Sequence, residues 1–536
     1  MTDRLSSFNL KSRAEDVRAG ISGSVYTIAR QLGTTSALSL GSGTNSNLTL
    51  SGTSIVAASA IAAGVTQIAV VREASEGFAI EYPVALTGAS PAGAGELLVC
   101  PFAYTNSLFP FTFSRVGGRV QTTFDRAVWA PTPDNPGYAG AINTFYVDIS
   151  RPDDTGDGLT WATAKKTGTA AIDLGNAGAN PFIIYAAAGT YSRANFFART
   201  PTKPCAIIGV GGRVVTGYFD LTGGWSLDTG TTYKVTRADI RRCLDLRGVD
   251  QDGLFPDLTY ATSLANCRAT PGSWWTDNAT VYVNRGDGAE VTDANTRLLI
   301  STGYNAMIRS SNGGNMFLKN FDCQGGQPLI LTNSPTNRFV AEDCTFRYSS
   351  GDDGVVTATV APQHGVTIFN LLGAAFIRCD ASGNQSDGFN SHIASGVQAF
   401  VFTMDCTGFN NGRKGAASCN FITTHDGGKW IDLRGKARRN AGGQVAIVND
   451  NTAMWCIDTD CAESRGDIVI GGTVPSSDYL VDQTEGGGTK VTLYLENCRS
   501  AGSLYPLNAR YGTIISRGGS MVGSSLSALG GVIVSV

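Results

Sequence analysis

From residue 315 to the end, short runs alternate apolar and polar residues between clusters of Gly, Asn, Asp and Ser. Alternation with a period of two, bounded by turn residues, predicts half-buried strands. Eight of these runs can be laid over one another: FLKNFDCQG, FVAEDCTFR, AFIRCDASG, VFTMDCTGF, WIDLRGKAR, CIDTDCAES, LYLENCRSA and IISRGGSMV. They place Cys323, Cys344, Cys379, Cys406, Gly435, Cys461, Cys498 and Gly518 in one register. The intervals vary, 21 residues from Cys323 to Cys344 and 35 from there to Cys379, while the strand stays constant. A constant strand with connections of changing length predicts a solenoid with small residues stacked where the strand turns inward.

Upstream the pattern divides. Residues 1–90 open polar, with a helical stretch expected near 14–30, and continue as alternating strands bounded by Gly and Ser, so a small β-rich domain is expected. Residues 91–142 carry Pro91, Pro101, Pro110, Pro131, Pro133 and Pro136 and read as an irregular connector. The main repeat is expected over 143–520, with 521–536 as a C-terminal cap. Residues 219–300 interrupt the rhythm. There ATPGSWWTDNATVYVNRGDG (269–288) predicts a β-hairpin that turns at Asp277-Asn278 and carries Trp274 and Trp275.

The segment TFYVDISRPDDTGDGLTWATAKKTGTAAIDLGNAGANPFIIYAAAGTY, from residue 144, gives a strand at 145–147, an Asp/Gly turn, a short helix near 170–174 and a buried strand at 182–186. It resembles the opening coil of the right-handed parallel β-helix proteins of the pectate-lyase-like superfamily. The resemblance implies an all-β fold, a right-handed single-stranded parallel β-helix preceded by the small N-terminal domain. The short helix would then cap the open end of the solenoid, whose core and unpaired backbone groups must be covered. A similar tryptophan-rich hairpin occurs in carbohydrate-associated β-helix proteins. It implies that Trp274 and Trp275 stack on sugar faces, or alternatively pack against the solenoid. The order of a signal-less β domain, a connector and a β-helix resembles a bacteriophage tailspike. That resemblance implies a homotrimer in a virion tail, contacts with phage tail or baseplate proteins, and bacterial surface polysaccharide as ligand.

Composition narrows the picture modestly. Sixty-six glycines and 16% charged residues suit a turn-rich β protein. A net charge of -3 gives no reason to expect a nucleic-acid partner. The start, MTDRLSSFNLKSRAEDVRAG, lacks the apolar core of a secretory signal, and 55–71 is too interrupted for a membrane span. Twelve cysteines contain no CxxC pair, so buried free thiols are expected, with disulfides as the alternative in an exported protein.

Candidate chemistry gathers between residues 350 and 440. All three histidines, His364, His392 and His425, fall there. Stacked coils lie about 4.8 Å apart, so the cysteine register acts as a ruler. Eight residues beyond the cysteine lie Asp352 (with Asp353), Asp387 and Lys414, which predicts one column. Carboxylates about 5 Å apart suit a retaining glycosidase, and about 6.5–9.5 Å an inverting one. His392, His425 and Asp426 form a second catalytic set, with Arg413, Lys414, Asn420, Lys436 and Arg438 as substrate-binding groups. The cations suit an anionic glycan or β-elimination of a uronate. No HxH or HExxH spacing occurs, so neither a metal nor another cofactor is expected. Three readings stay open: a polysaccharide depolymerase (hydrolase or lyase), a non-catalytic adhesive tail protein, and a free bacterial polysaccharide lyase.

Overall fold

The computed structural model describes residues 95–102, 111–195, 197, 199–221, 223–300, 306–310, 314–332, 334–350, 363–392, 399–412, 419–449, 451–466, 476–482 and 491–536. Within 1–94 it describes the backbone of five strands, which pair antiparallel: Leu48–Ser51 and Val25–Tyr26 on Ser54–Ala57, and Thr66–Ala74 on Gly77–Leu86. Residues 1–97 and 115–117 form one compact unit and the remainder a second.

The second unit is a right-handed parallel β-helix. Its strands pair in parallel with those of the next coil, and such crossovers take the right hand. Three sheets run along it. The longest begins at Asn143–Val147 and Phe182–Tyr191 and continues through Met316–Lys319, Leu371–Ile377, Phe400–Met404 and Lys429–Leu433 to Val532–Ser535. A nine-stranded sheet runs from Ala306–Ser310 through Gln327–Leu331, Val366–Phe369, Phe389–His392, Ile422–His425 and Gly443–Val448 to Leu526–Ala528. A five-stranded sheet holds Thr407–Phe409, Lys436–Arg438, Asp460–Ala462, Arg499–Ala501 and Ser520–Met521. Side chains alternate across each strand, so inward residues such as Phe376, Phe389, Phe421 and Trp430 fuse into one continuous core.

Each coil leaves the long sheet through the same left-handed residue. Asn320, Asp343, Arg378, Asp405, Arg434, Asp458 and Asn497 all have φ between 53° and 62°. Asn and Asp tolerate this region because their short side chains bond locally. Arg378 and Arg434 do not share that advantage, but each pairs with the aspartate at the same turn one coil earlier. Arg378 Nε lies 2.9 Å from Asp343 Oδ1, and Arg434 Nε lies 2.7 Å from Asp405 Oδ1.

The cysteine column holds at Cys344, Cys379, Cys406, Gly435 and Cys498 and slips at Cys323, Cys461 and Gly518. Asp380 bridges both Thr345 and Thr407, which puts Cys344, Cys379 and Cys406 in one ladder. Cys323 is opposite Phe346, and Cys461 is opposite Ala437 and Ser500, two positions further on. Gly519, not Gly518, reaches the level of Cys498. A slip of two keeps a residue on the same face of a strand, so inward polarity alone could not detect it. All twelve cysteines are free, and eleven are buried.

The prolines of 91–142 do not make this stretch idle. Phe111, Phe113, Phe124 and Trp129 pack on Phe402, Ile431 and Trp455 and cover the outer face of the long sheet. Arg434 Nη1 donates to Val120 O at 2.9 Å across the same contact. Residues 521–536 add strands to all three sheets instead of closing the helix with a separate element.

The interruption at 219–300 is a largely antiparallel insertion with a core of its own around Trp274, Val281 and Val283. It is tied to the solenoid by Arg242, whose side chain is fully buried. Arg242 pairs with Asp257 and donates to the carbonyls of Ser349 and Gly383 at 3.2 and 2.7 Å. Losing that arginine would break the Asp257 pair and take this donor from two carbonyls.

Candidate functional site

The nine-stranded sheet carries the chemistry. Three successive strands are entered through HGVTIF (364–369), DGFNSH (387–392) and NFITTH (420–425). Val366, Phe389 and Ile422 share one inward register. Counting two residues back gives the column His364, Asp387, Asn420. The next residue in that register is Gly443. One residue beyond the inward position come Thr367, Asn390 and Thr423, and two further on come Phe369, His392 and His425. Side chains at the first and fourth positions nevertheless meet, Asp387 with Asn390 and Asn420 with Thr423, and all of them except His364 are buried.

An asparagine ladder holds the corner just before this column. Asn384, Asn411 and Asn440 are fully buried. Their Nδ2 atoms donate to the carbonyls of Phe346, Ala381 and Gly408 at 3.1, 3.0 and 2.9 Å. Asn411 N donates to Asn440 Oδ1 and Asn384 N to Asn411 Oδ1, so each rung fixes the next. Buried amides with every partner satisfied rigidify the turn that aims the site.

Asp387 is 4% exposed. Its Oδ2 lies 3.1 Å from His364 Nδ1 and accepts Asn390 Nδ2 at 2.6 Å, while Oδ1 accepts the backbone amide of Asn420 at 2.8 Å. Asn420 Nδ2 donates to Thr423 Oγ1 at 2.6 Å. Burial acts to raise the Asp387 pKa, but His364, the Asn420 amide and Asn390 together outweigh it and hold the carboxyl below its ordinary value. The Asp387 backbone amide donates to His364 Nδ1 at 3.2 Å, which fits an imidazole with its lone pair at Nδ1. Moving the proton to Nδ1 trades that bond for one to the Asp387 carboxylate and frees Nε2 as the basic nitrogen.

His392 and His425 stack at 4.2 Å between centroids with 11° between planes, and Phe369 continues the stack at 5.3 Å. Burial and the neighbouring His425 and His364 push His392 down to about 4, and burial lowers His425. Both imidazoles are thus neutral at pH 7. Asp426 Oδ2 lies 3.9 Å from His392 Nδ1, and Asp426 Oδ1 accepts Asn449 Nδ2 at 2.7 Å.

Asp387, His392, Asn420, His425 and Asp426 therefore meet on one face. Asp352, Asp353, Arg413 and Lys414 lie outside the described residues. The described residue beside Asp387 in the next coil is Asn420. The interval from Cys379 to Asp387 is eight residues, but that from Cys406 to Asn420 is 14, and that from Cys344 to His364 is 20. Extra residues at the corner defeat a ruler counted from the cysteine. Lys436 and Arg438 stand on the five-stranded sheet, where Arg438 is 3.5 Å from Asp460, so they do not join this face. Trp274 is fully buried against Tyr260 and has no ring face for a sugar, whereas Trp275 is half-buried beside Tyr282 at 5.8 Å. Thr367, Asn390 and Thr423 were missed, although the polar fourth position shared by HGVT, DGFN and NFIT was visible. Among the described residues no group of three or more His, Cys, Asp or Glu is placed to hold a metal ion.

No protein-family model and no curated protein matches the chain. Among solved structures it is similar to XylC in complex with xylose, with a TM-score of 0.42 and 10% identity over 70% of this chain and 69% of that one. Pectate lyase Pel9A superposes with a TM-score of 0.39 and 12% identity, covering 73% and 80%. A rhamnogalacturonan lyase gives 0.32 and 11%, covering 70% and 72%. These neighbours are right-handed parallel β-helix proteins, and the likeness is one of fold.

Proposed function

We propose that this chain binds a bacterial surface polysaccharide across the outer face of the nine-stranded sheet and cleaves it by general-base chemistry. The carrying observation is the 3.1 Å contact between His364 Nδ1 and Asp387 Oδ2 within a polar row that crosses three coils. Asp387 orients the imidazole and is the counterion of its protonated form. A carboxyl held below its ordinary pKa is a poor proton donor, which disfavours Asp387 as the acid of a two-carboxylate hydrolase. Elimination at a uronic acid suits the site better. The imidazole takes the C5 proton, the C4–O bond breaks as the C4–C5 double bond forms, and the leaving oxygen takes a proton. Arg413 and Lys414, in the segment leading to 420–425, are assigned to the uronate carboxylate on this reading.

The test is incubation with purified bacterial surface polysaccharides, following both reducing ends and ultraviolet absorbance of unsaturated uronate. Both signals support elimination, and reducing ends alone refute it in favour of hydrolysis. One observation favours a non-catalytic adhesive role, the low exposure of Asp387. Binding without either product signal would establish that role. Placement as a homotrimeric component of a bacteriophage tail belongs to the same proposal. It is supported by the order of an N-terminal β unit followed by a β-helix and is checked by solution mass.

A further inference from the structure

Of the seven tryptophans six are buried or half-buried, and Trp161 alone is exposed, at 41%. It opens the short turn Trp161–Thr163, where Thr160 Oγ1 accepts the Thr163 amide at 3.2 Å. The turn is clipped along Asn143–Val147: Tyr146 N donates to Gly158 O at 2.8 Å, and Lys165 N donates to Tyr146 O at 2.9 Å. Phe145 and Val147 enter the core, as do Ile184 and Ala186, so alternation turns Tyr146 and its register partner Tyr185 outward. Trp161 meets Tyr146 at 4.8 Å between centroids and 60°, and Tyr146 meets Tyr185 at 5.9 Å and 34°. Trp161 Nε1 and the two phenol hydroxyls bond no other described residue. Accessible rings that join an apolar body to a free polar end suit a pyranose, whose C–H face stacks while its hydroxyls form hydrogen bonds.

We infer that Trp161, Tyr146 and Tyr185 form a second glycan-binding site, which takes neutral pyranose units of the polysaccharide away from the His364–Asp387 pair. The inference rests on the glycan reading above and adds a holding site to it. The patch is too small for a protein partner. An exposure of 41% on a side chain of at most about 250 Å² gives roughly 100 Å², far below the roughly 800 Å² that a stable partner buries on each side. Around the turn Asp148, Asp153, Asp154 and Asp157 outnumber Arg151, Lys165 and Lys166, which leaves no positive excess for a phosphate backbone. Asn143–Val147 stands five strands before Leu371–Ile377 in the long sheet, so the rings lie about 24 Å along the axis from the coil of Asp387 and on a different sheet. A polysaccharide long enough to reach both sites is held by two contacts, and a short oligosaccharide by one.

The experiment uses the full chain and a printed array of purified bacterial capsular and O-antigen polysaccharides. Affinities for the glycans bound by wild type are then measured for Trp161→Leu and Trp161→Phe, alongside thermal unfolding. The expected result is binding weakened about tenfold in the leucine variant and largely restored in the phenylalanine variant, with the unfolding temperature unchanged in both. Unchanged affinity of Trp161→Leu overturns the second site and leaves the glycan reading intact. Equal losses in both variants with a lower unfolding temperature also overturn it, because they mark Trp161 as structural. If wild type binds no glycan on the array, the glycan reading fails and the second site with it. Acrylamide quenching of wild-type fluorescence needs no variant, since Trp161 is the one exposed indole. Bound glycan should reduce the quenching, and quenching that a bound glycan leaves unaltered overturns the site even if neither variant folds.

Discussion

Asp432 offers a perturbation whose size follows from the structure. It sits fully buried inside the β-helix, where Oδ1 accepts Thr403 Oγ1 at 2.7 Å and Oδ2 accepts Thr459 Oγ1 at 2.6 Å and the Gly435 amide at 3.2 Å. Burial raises its pKa to about 6 despite these donors. A folded value above the unfolded one means a contribution that is full below about pH 4 and lost as pH rises through 6. Two units correspond to about 3 kcal/mol. Asp432→Asn does not titrate and keeps the network. With the amide nitrogen toward Thr403 Oγ1, that hydroxyl accepts it together with Trp430 Nε1 and donates to Ile431 O. The remaining oxygen keeps Thr459 and Gly435. Stability of the variant relative to wild type should therefore improve by about 3 kcal/mol between about pH 3.5 and pH 8, with roughly half gained by about pH 5. Paired thermal unfolding at a series of pH values reads this as a few degrees. A difference that stays flat with pH would refute the assignment of a buried, destabilised carboxylate.

Other outcomes follow from the same geometry. Asp387→Asn should lower turnover by about 10²–10⁴ while folding is retained, as read by initial rates and circular dichroism. Gly443→Ala would bring a Cβ within 2.7 Å of Asn420 Oδ1 and displace the residue that holds Asp387. Its turnover should fall on the order of a hundredfold with little change in unfolding temperature. His392 has a folded pKa below its ordinary value, so its contribution is full above about pH 6.5 and is lost as pH falls toward 4. His392→Phe, which extends the ring of Phe369, should remove about 2 kcal/mol of acid destabilisation, after allowance for partial exposure. Melting at pH 4 against pH 7.5 checks it, and an unchanged acid limb in the variant would count against the buried neutral imidazole.

The solenoid was legible because alternation and turn residues repeat with each coil, and the Cys344–Cys379–Cys406 ladder followed from that alone. The slips at Cys323 and Cys461 were not legible, because two inward positions per strand are interchangeable to a polarity pattern. Asp387, His392 and His425 were found through the clustering of scarce histidines. Their partners depended on how many residues each corner holds, and strand spacing carries no information about that. His364 stands opposite Asp387 despite an offset of 20 residues against eight. Trp274 and Trp275 show the matching difficulty on a hairpin, where alternation separates two faces without telling which one is covered.

The corner before the site has a consequence beyond catalysis. Relative to the eight-residue path ending at Asp387, the path before His364 holds 12 more residues and that before Asn420 holds six more, yet the strands that follow stay in step. The corner is thus a socket: chain can be plugged in there without moving the ladder above or below. Two descendants of such a protein could share every strand and every buried asparagine and still differ in what they bind, having exchanged only what was inserted at that point. Specificity would then drift quickly on a scaffold that hardly changes.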